Sequence, residues 1–125
     1  MSGWERVRPV APGETAVTAR AYELKGRTML KVRVPICVAE SYDLEEGDEF
    51  QCFLDAHGAR LQFVRVQQGD VVAKSYSRGG PAKALNISVS MLAFDALFSK
   101  QAVTHAKVND NLTITLPAKA KQAVA

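Results

Sequence analysis

The chain has few of the residues that build disulfide-rich or metal-binding proteins. It contains two cysteines and two histidines among its 125 residues. Cys37 and Cys52 are too few for a disulfide framework, and no paired spacing brings them near a histidine as in a zinc site. Both cysteines lie in apolar patterns, so we predict buried free thiols. The sequence implies no metal and no cofactor.

Long apolar runs are also missing. No stretch approaches the roughly 18 apolar residues that a membrane-spanning helix needs. The first residues are polar and basic where a secretory signal would have an apolar segment. We therefore expect a cytoplasmic protein with no membrane partner.

Recognisable catalytic patterns are absent as well. No Ser/His/Asp or Cys/His order suits nucleophilic catalysis, and no phosphate-loop pattern follows Gly79 and Gly80. Six acidic residues between positions 40 and 49 fit no calcium loop, so we interpret them as a solvated helix end. His57 is interpreted as a solvent-facing hairpin residue. We therefore expect that the protein is not an enzyme.

The residues that are present describe a folded chain with separated charge. Apolar residues make up 47% and charged residues 23%, and the length suits one domain or two small repeats sharing a core. Residues 1–34 carry a net charge of +4, residues 35–70 of −6 and residues 71–125 of +5. A basic segment of this kind faces either a polyanion or solvent.

The first half predicts two hairpins joined by a short helix. Alternating β-branched and aromatic residues predict strands over 15–24 and 28–34, with a glycine turn between them. Pro35 ends the strand and suits the first turn of a helix over 36–42. Two further strands, over 49–55 and 59–66, form the second hairpin.

The second half repeats this order. Strands are predicted over 71–77, 85–89, 103–108 and 112–116, with a helix over 91–98 capped by Ser90. The LKVRV of residues 30–34 aligns with the LNISV of residues 85–89 at an offset of 55. This pattern indicates either an internal duplication or two unrelated strand-helix-hairpin runs.

Four short motifs occur in a fixed order within residues 14–66. They are Lys25-Gly26-Arg27 at the first turn, Val34-Pro35 before the helix, Leu44-Glu45-Glu46-Gly47-Asp48 after it, and residues 55–58 in the second hairpin. The order resembles the AbrB/SpoVT-type swapped-hairpin family, which includes bacterial transition-state regulators and many antitoxins. Tyr42-Asp43-Leu44 departs from the Leu-Gly-Leu that the family often has before the Gly-Asp turn.

The resemblance implies a mostly-β, α+β fold: a swapped-hairpin barrel built from two hairpin-helix-hairpin repeats in one chain. We predict an irregular arm over residues 1–13, a first repeat over 14–66, a degenerate second repeat over 67–117 and a flexible tail over 118–125. Members of the family are intertwined dimers, so the chain would be a pseudo-dimer or would dimerise again as a homo-oligomer.

The resemblance also implies DNA binding through the basic first hairpin. Lys31 and Arg33 share one face of a strand because side chains alternate. The predicted DNA-binding residues are Arg20, Lys25, Arg27, Lys31 and Arg33, with Lys74, Arg78 and Lys83 as the second set. The expected function is that of a transcriptional regulator or an antitoxin-like protein. Two alternatives remain open: a basic hairpin that only faces solvent, and a barrel that holds a protein partner or toxin without binding DNA.

Overall fold

The computed structural model describes Gly3 and residues 15–76 and 83–123. The predicted arm over residues 1–13, apart from Gly3, and the predicted turn over 78–81 lie outside these residues. Within the described residues the chain is mostly β, which confirms the class predicted from the sequence. The elements are β1 (Thr18–Leu24), β2 (Arg27–Pro35), α1 (Ile36–Ser41), β3 (Glu49–Leu54), β4 (Arg60–Val66), β5 (Val71–Tyr76), β6 (Ala84–Val89), β7 (Leu92–Phe94), β8 (Phe98–Ala102), β9 (His105–Val108), β10 (Asn111–Thr115) and β11 (Ala120–Gln122).

The first hairpin forms because its two-residue turn and the alternation of apolar residues along its strands favour the same structure. Lys25 and Gly26 both adopt positive φ, 52° and 77°, so the two-residue turn matches the twist of the flanking strands. On β2, Leu30, Val32 and Val34 are fully buried. Each of these side chains contributes about 1.5–3 kcal/mol through removal from water.

Helix α1 follows the strand at Pro35, as predicted. The helix has six residues and buries Val38 and Ala39, so its stability comes from packing and not from its length. It ends at Ser41, and Asp43 adopts a positive φ of 55° beyond it. Gly47, with a φ of 91°, donates its N–H to the carbonyl of Ala73 and leads the chain into β3.

Strands β3 and β4 form the second predicted hairpin. Leu54 lies opposite Leu61, and Asp55 accepts hydrogen bonds from the backbone N–H groups of Ala59 and Arg60 across the turn. Phe50 and Phe63 are buried and meet edge to face, with ring centroids 6.1 Å apart. This hairpin therefore supplies the aromatic part of the core.

Nine strands of the described chain form one sheet in the order β8-β1-β2-β6-β5-β3-β4-β10-β9. The two edge strands, β8 and β9, are consecutive in the chain and are separated by two residues. The sheet therefore curls around a common core. A second, two-stranded sheet pairs β7 with β11.

Equivalent strands of the two halves lie next to each other. Val32 and Ile87, which the 55-residue offset aligns, are directly opposite in the β2–β6 pair. Leu61 and Ile114 are directly opposite in the β4–β10 pair. Exchanging β1 with β5 and β2 with β6 turns the order β1-β2-β6-β5 into its reverse, in which every strand keeps an equivalent neighbour. This part of the sheet therefore has a local two-fold arrangement.

Two predictions for the second half differ from the structure. The predicted helix over 91–98 is wrong, because residues 92–94 form β7 and residues 98–102 form β8. The predicted flexible tail contains β11, in which Ala120 is buried. Both differences follow from pairing with distant segments: residues 120–122 pair with residues 94–92, and β8 pairs with β1.

Candidate nucleic-acid interface

The outward face of the first hairpin gathers basic side chains. Because Ala19, Leu30 and Val32 point into the core, the alternation of the strands turns Arg20 and Lys31 to the other face. Arg20 lies directly opposite Lys31 in the register, and Thr18 lies opposite Arg33. Three predicted site residues therefore share one surface.

This surface is a groove that crosses strands from both halves of the chain. We call it the basic groove, and its lining residues are Thr18, Ala19, Arg20, Lys31, Arg33, Tyr76, Asn86 and Lys100. No acidic residue of the described chain lines it. Four of the lining side chains are cationic, which makes the groove suited to a polyanion.

Lys100 reaches the groove through an irregularity in β8. Ala19 pairs with Gln101 and Ala21 with Phe98, so two residues of β8 lie opposite the single residue Arg20. An extra residue of this kind bends a strand and changes the direction of its side chains. Lys100 was not predicted from the sequence, because the β1–β8 pairing joins segments about 80 residues apart and has no local signal.

Two tyrosines hold arginines against the sheet. The guanidinium carbon of Arg20 lies 4.4 Å from the ring centre of Tyr22, and that of Arg33 lies 4.4 Å from the ring centre of Tyr76. Stacking of this kind orders the guanidinium group while its N–H groups stay directed to a ligand. The sequence analysis did not select either tyrosine, although both have the same strand parity as a basic neighbour.

Lys25 and Arg27 lie at the exposed tip of the hairpin. Arg27 has the same parity as Lys31 and Arg33, and six residues of extended strand separate it from Arg33, about 20 Å at 3.3 Å per residue. The tip therefore extends the cationic surface beyond the groove but does not line it.

The second predicted set is brought only partly to this surface. Lys74 is exposed on β5 and lies opposite Asn86, whose side chain lines the groove. Lys83 is exposed just before β6, and Arg78 lies outside the described residues. The Oδ1 atom of Asn86 is buried and accepts no hydrogen bond within the described chain.

The acidic residues 40–49 lie at the end of α1 and the start of β3, and none of them lines the basic groove. Asp48 binds Arg65, with Nε 3.3 Å from Oδ2, and also accepts the N–H of Glu45. Arg65 donates further to the carbonyls of Tyr42 and Asp43. Arg65 therefore connects Asp48 to the backbone of Tyr42 and Asp43 within this loop. Among the described residues no group of three His, Cys, Asp or Glu side chains could hold a metal ion.

The cysteines are less buried than predicted. Cys37 is exposed, because α1 turns Val38 and Ala39 to the core instead. Cys52 is partly buried, and burial, followed by the charge of Asp70, raises the pKa of its thiol to about 12. The prediction of a buried thiol is therefore wrong for Cys37.

Neither of the two histidines, His57 and His105, lines the basic groove. His57 is exposed in the β3–β4 turn, as interpreted from the sequence. His105 lies on β9 with its Nδ1 atom 2.7 Å from the hydroxyl of Tyr42, whose pKa is raised by burial. Lys107 donates to the carbonyl of Ser41 at 2.8 Å. These contacts join the end of α1 to β9, on residues that do not line the basic groove.

None of the helices in the described part of the chain has the length and apolar character needed to cross a membrane. In comparisons with known proteins, the chain matches no family model, no curated protein and no solved structure.

Proposed function

We propose that this chain binds double-stranded DNA through the basic groove and the adjoining hairpin tip, as a transcriptional regulator or an antitoxin-like protein. The observation that carries the proposal is the composition of the groove: four cations, two polar side chains, one tyrosine and one alanine, with no acidic residue among the described lining. A phosphate backbone requires a surface of this kind.

The proposed fold family is the swapped-hairpin family that the sequence resembles. Its support is the symmetric strand order, the strand-to-helix switch at Pro35, and the positive-φ Gly47 that begins the second hairpin. In this proposal residues 14–66 and 67–117 are the two repeats, and their hairpins interlock through the β2–β6 and β4–β10 pairs.

The geometry suggests how DNA would be read. At Arg33 the sheet is at least four strands wide, because β8 and β6 pair with the outer edges of β1 and β2, so the strands would lie across the major groove and the Arg33 side chain would reach into it. The stacked guanidinium of Arg33 would face a guanine edge, with which arginine pairs bidentately. Arg20, Lys31 and Lys100 would contact phosphates and set the register of the sheet.

The separation of charge supports the same orientation. The acidic loop of residues 43–49 would repel a polyanion, and its residues do not line the basic groove. Asp48 is paired with Arg65, so this part of the chain neutralises some of its own charge. DNA would therefore be held at the basic groove and not at this loop.

A second candidate function is a protein-binding module that does not bind DNA. It is favoured by large apolar side chains at the surface, of which Leu24 and Phe53 are each 50% exposed. A protein partner or toxin would cover such residues, and an acidic partner would also fit the basic groove. The two functions differ in their response to DNA.

Fluorescence anisotropy with a labelled random-sequence duplex tests the proposal. We expect binding at low salt that weakens steeply as the salt concentration rises, because each phosphate contact releases counterions. A single-stranded oligonucleotide and a neutral polymer serve as controls for specificity. Absence of duplex binding at 50 mM salt, a concentration at which about three phosphate contacts act strongly, would refute the DNA proposal and favour the protein-binding module.

A further inference from the structure

We infer that a single copy of this chain forms both halves of the DNA-binding face, and that the duplex it reads is non-palindromic. The inference rests on the proposed DNA-binding function. It comes from a comparison of two features of the structure: a backbone that is symmetric about the β2–β6 pair, and side chains that are not.

The backbone symmetry continues on both sides of the central pair. Ala19 lies opposite Val32, and Ala73 lies opposite Ile87, at the equivalent place of the second hairpin. Thr18 pairs with Ala102, and the equivalent Val72 pairs with Glu49. The two hairpins therefore present equivalent outward positions to a ligand.

The side chains at these positions differ in charge. The outward residues of β2 nearest the centre are Lys31 and Arg33, and the aligned residues of β6 are Asn86 and Ser88. Among the described outward positions of the two hairpins, the pair formed by Arg20 and Lys74 keeps its charge. Two cations beside the centre thus have neutral counterparts, so the first half binds phosphates and bases more strongly than the second.

The second half is also poorly equipped to read bases. The Oδ1 atom of Asn86 is buried, so the acceptor with which asparagine recognises adenine is not exposed to a ligand. Lys74 and Lys83 are exposed and carry charge, which positions a protein on the backbone without reading sequence. We assign base reading to the first hairpin and backbone contact to the second.

The strand edges that a second copy would need are already occupied. β6 covers the edge of β2 along six residue pairs, and β10 covers the edge of β4 along four. A palindromic site presents the same half-site twice and is matched by two identical protein halves. This chain carries two unequal halves, so it fits two unequal half-sites.

The inference is tested on the wild-type chain by two measurements. Binding sites are selected from a random duplex library, and the number of chains per selected duplex is determined by sedimentation. We expect one chain per duplex and a motif without inverted symmetry. Two chains on an inverted repeat would overturn the inference and leave the DNA-binding function intact. No salt-dependent binding to any duplex would instead refute the function itself.

Two exchanged variants test the assignment of the halves. Lys31→Asn with Arg33→Ser gives the first hairpin the residues of the second, and we expect at least a tenfold loss of preference for the selected motif. Asn86→Lys with Ser88→Arg makes the halves alike, and a new selection should yield motifs closer to an inverted repeat. An unchanged motif in both variants would overturn the assignment. Circular dichroism checks folding, and if the second variant does not fold, the first variant and the wild-type stoichiometry decide.

Discussion

The double substitution Lys31→Gln and Arg33→Gln removes half of the cations that line the basic groove, which are Arg20, Lys31, Arg33 and Lys100. Lys31 and Arg33 lie two residues apart on the outward face of β2, while the neighbouring Val32 is fully buried. The substitutions therefore change the groove and spare the core. We expect them to weaken DNA binding and, above all, to reduce its dependence on salt.

The magnitude follows from counterion release, which lowers the logarithm of the binding constant by about 0.9 per phosphate contact for each tenfold rise in salt. With the three phosphate contacts of Arg20, Lys31 and Lys100, raising the salt from 50 to 200 mM weakens wild-type binding about 40-fold. With the two remaining contacts, the same change weakens binding only about 12-fold. The ratio of these two factors is the quantity to measure.

Anisotropy titrations at four salt concentrations give both slopes. The matched control is Lys119→Gln with Lys121→Gln, which removes the same charge from exposed lysines at or beside β11 that do not line the groove. We expect the control to keep the wild-type slope. Equal slopes for the wild type and the groove variant, or an equal loss in the control, would show that the basic groove is not the surface that contacts phosphates.

Three further predictions concern the fold. Gly58→Ala should lower the free energy of unfolding in urea by more than about 1 kcal/mol, because a Cβ there would lie 2.0 Å from the carbonyl oxygen of Ala120. Gly26→Ala, which shares the positive φ but has open space around it, should lose less, and equal losses would contradict the docking of β11. The pKa of the Cys52 thiol is raised to about 12 in the folded chain, against an ordinary 9.0, so this thiol ionises at a lower pH in the unfolded chain. The melting temperature should therefore fall as the pH rises from 9 toward 12, and should fall less in Cys52→Ala; parallel curves would contradict this. The backbone N–H groups of Arg60 and Ala59 lower the pKa of Asp55 below its ordinary 3.8. The stability that the ionised carboxylate contributes is therefore present above pH 3.8 and is lost as the pH falls through the lowered pKa. Asp55→Ala should remove that part of the acid dependence, and an unchanged acid transition would contradict the assigned cause.

The first half of the fold was predictable because its signals are local. A glycine turn, alternating apolar residues and a proline at the strand end each act within a few residues. The structure has β1, β2, α1, β3 and β4 close to the expected bounds. Here local propensity and tertiary packing favour the same conformation.

The second half was less predictable because its conformation depends on distant pairing. Residues 91–98 have apolar spacing compatible with a helix or a strand. Residues 92–94 adopt the extended conformation because β7 pairs with β11. The same applies to Cys37, whose exposure depends on which face of α1 meets the core. No pattern within either segment contains this information.

The residues of the candidate site also fall into two groups, those with a local sequence signal and those that depend on distant strand pairing. Arg20, Lys31 and Arg33 share a face because strand parity is a local property that can be read from the sequence. Lys100, Tyr76 and Asn86 join them through non-local strand pairs, so the sequence analysis did not find them. The groove itself exists only once these strands are adjacent.

The central claim is that the outward face of β1, β2 and β6 contacts duplex DNA. Titration of the ¹⁵N-labelled chain with a short duplex, followed by amide chemical shifts, tests it most directly. We predict that the largest shifts fall on residues 18–34 and 84–89, with small changes along the acidic loop of residues 43–49. Shifts concentrated around Tyr42 and Lys107, or no shifts at a duplex concentration that saturates anisotropy, would contradict it.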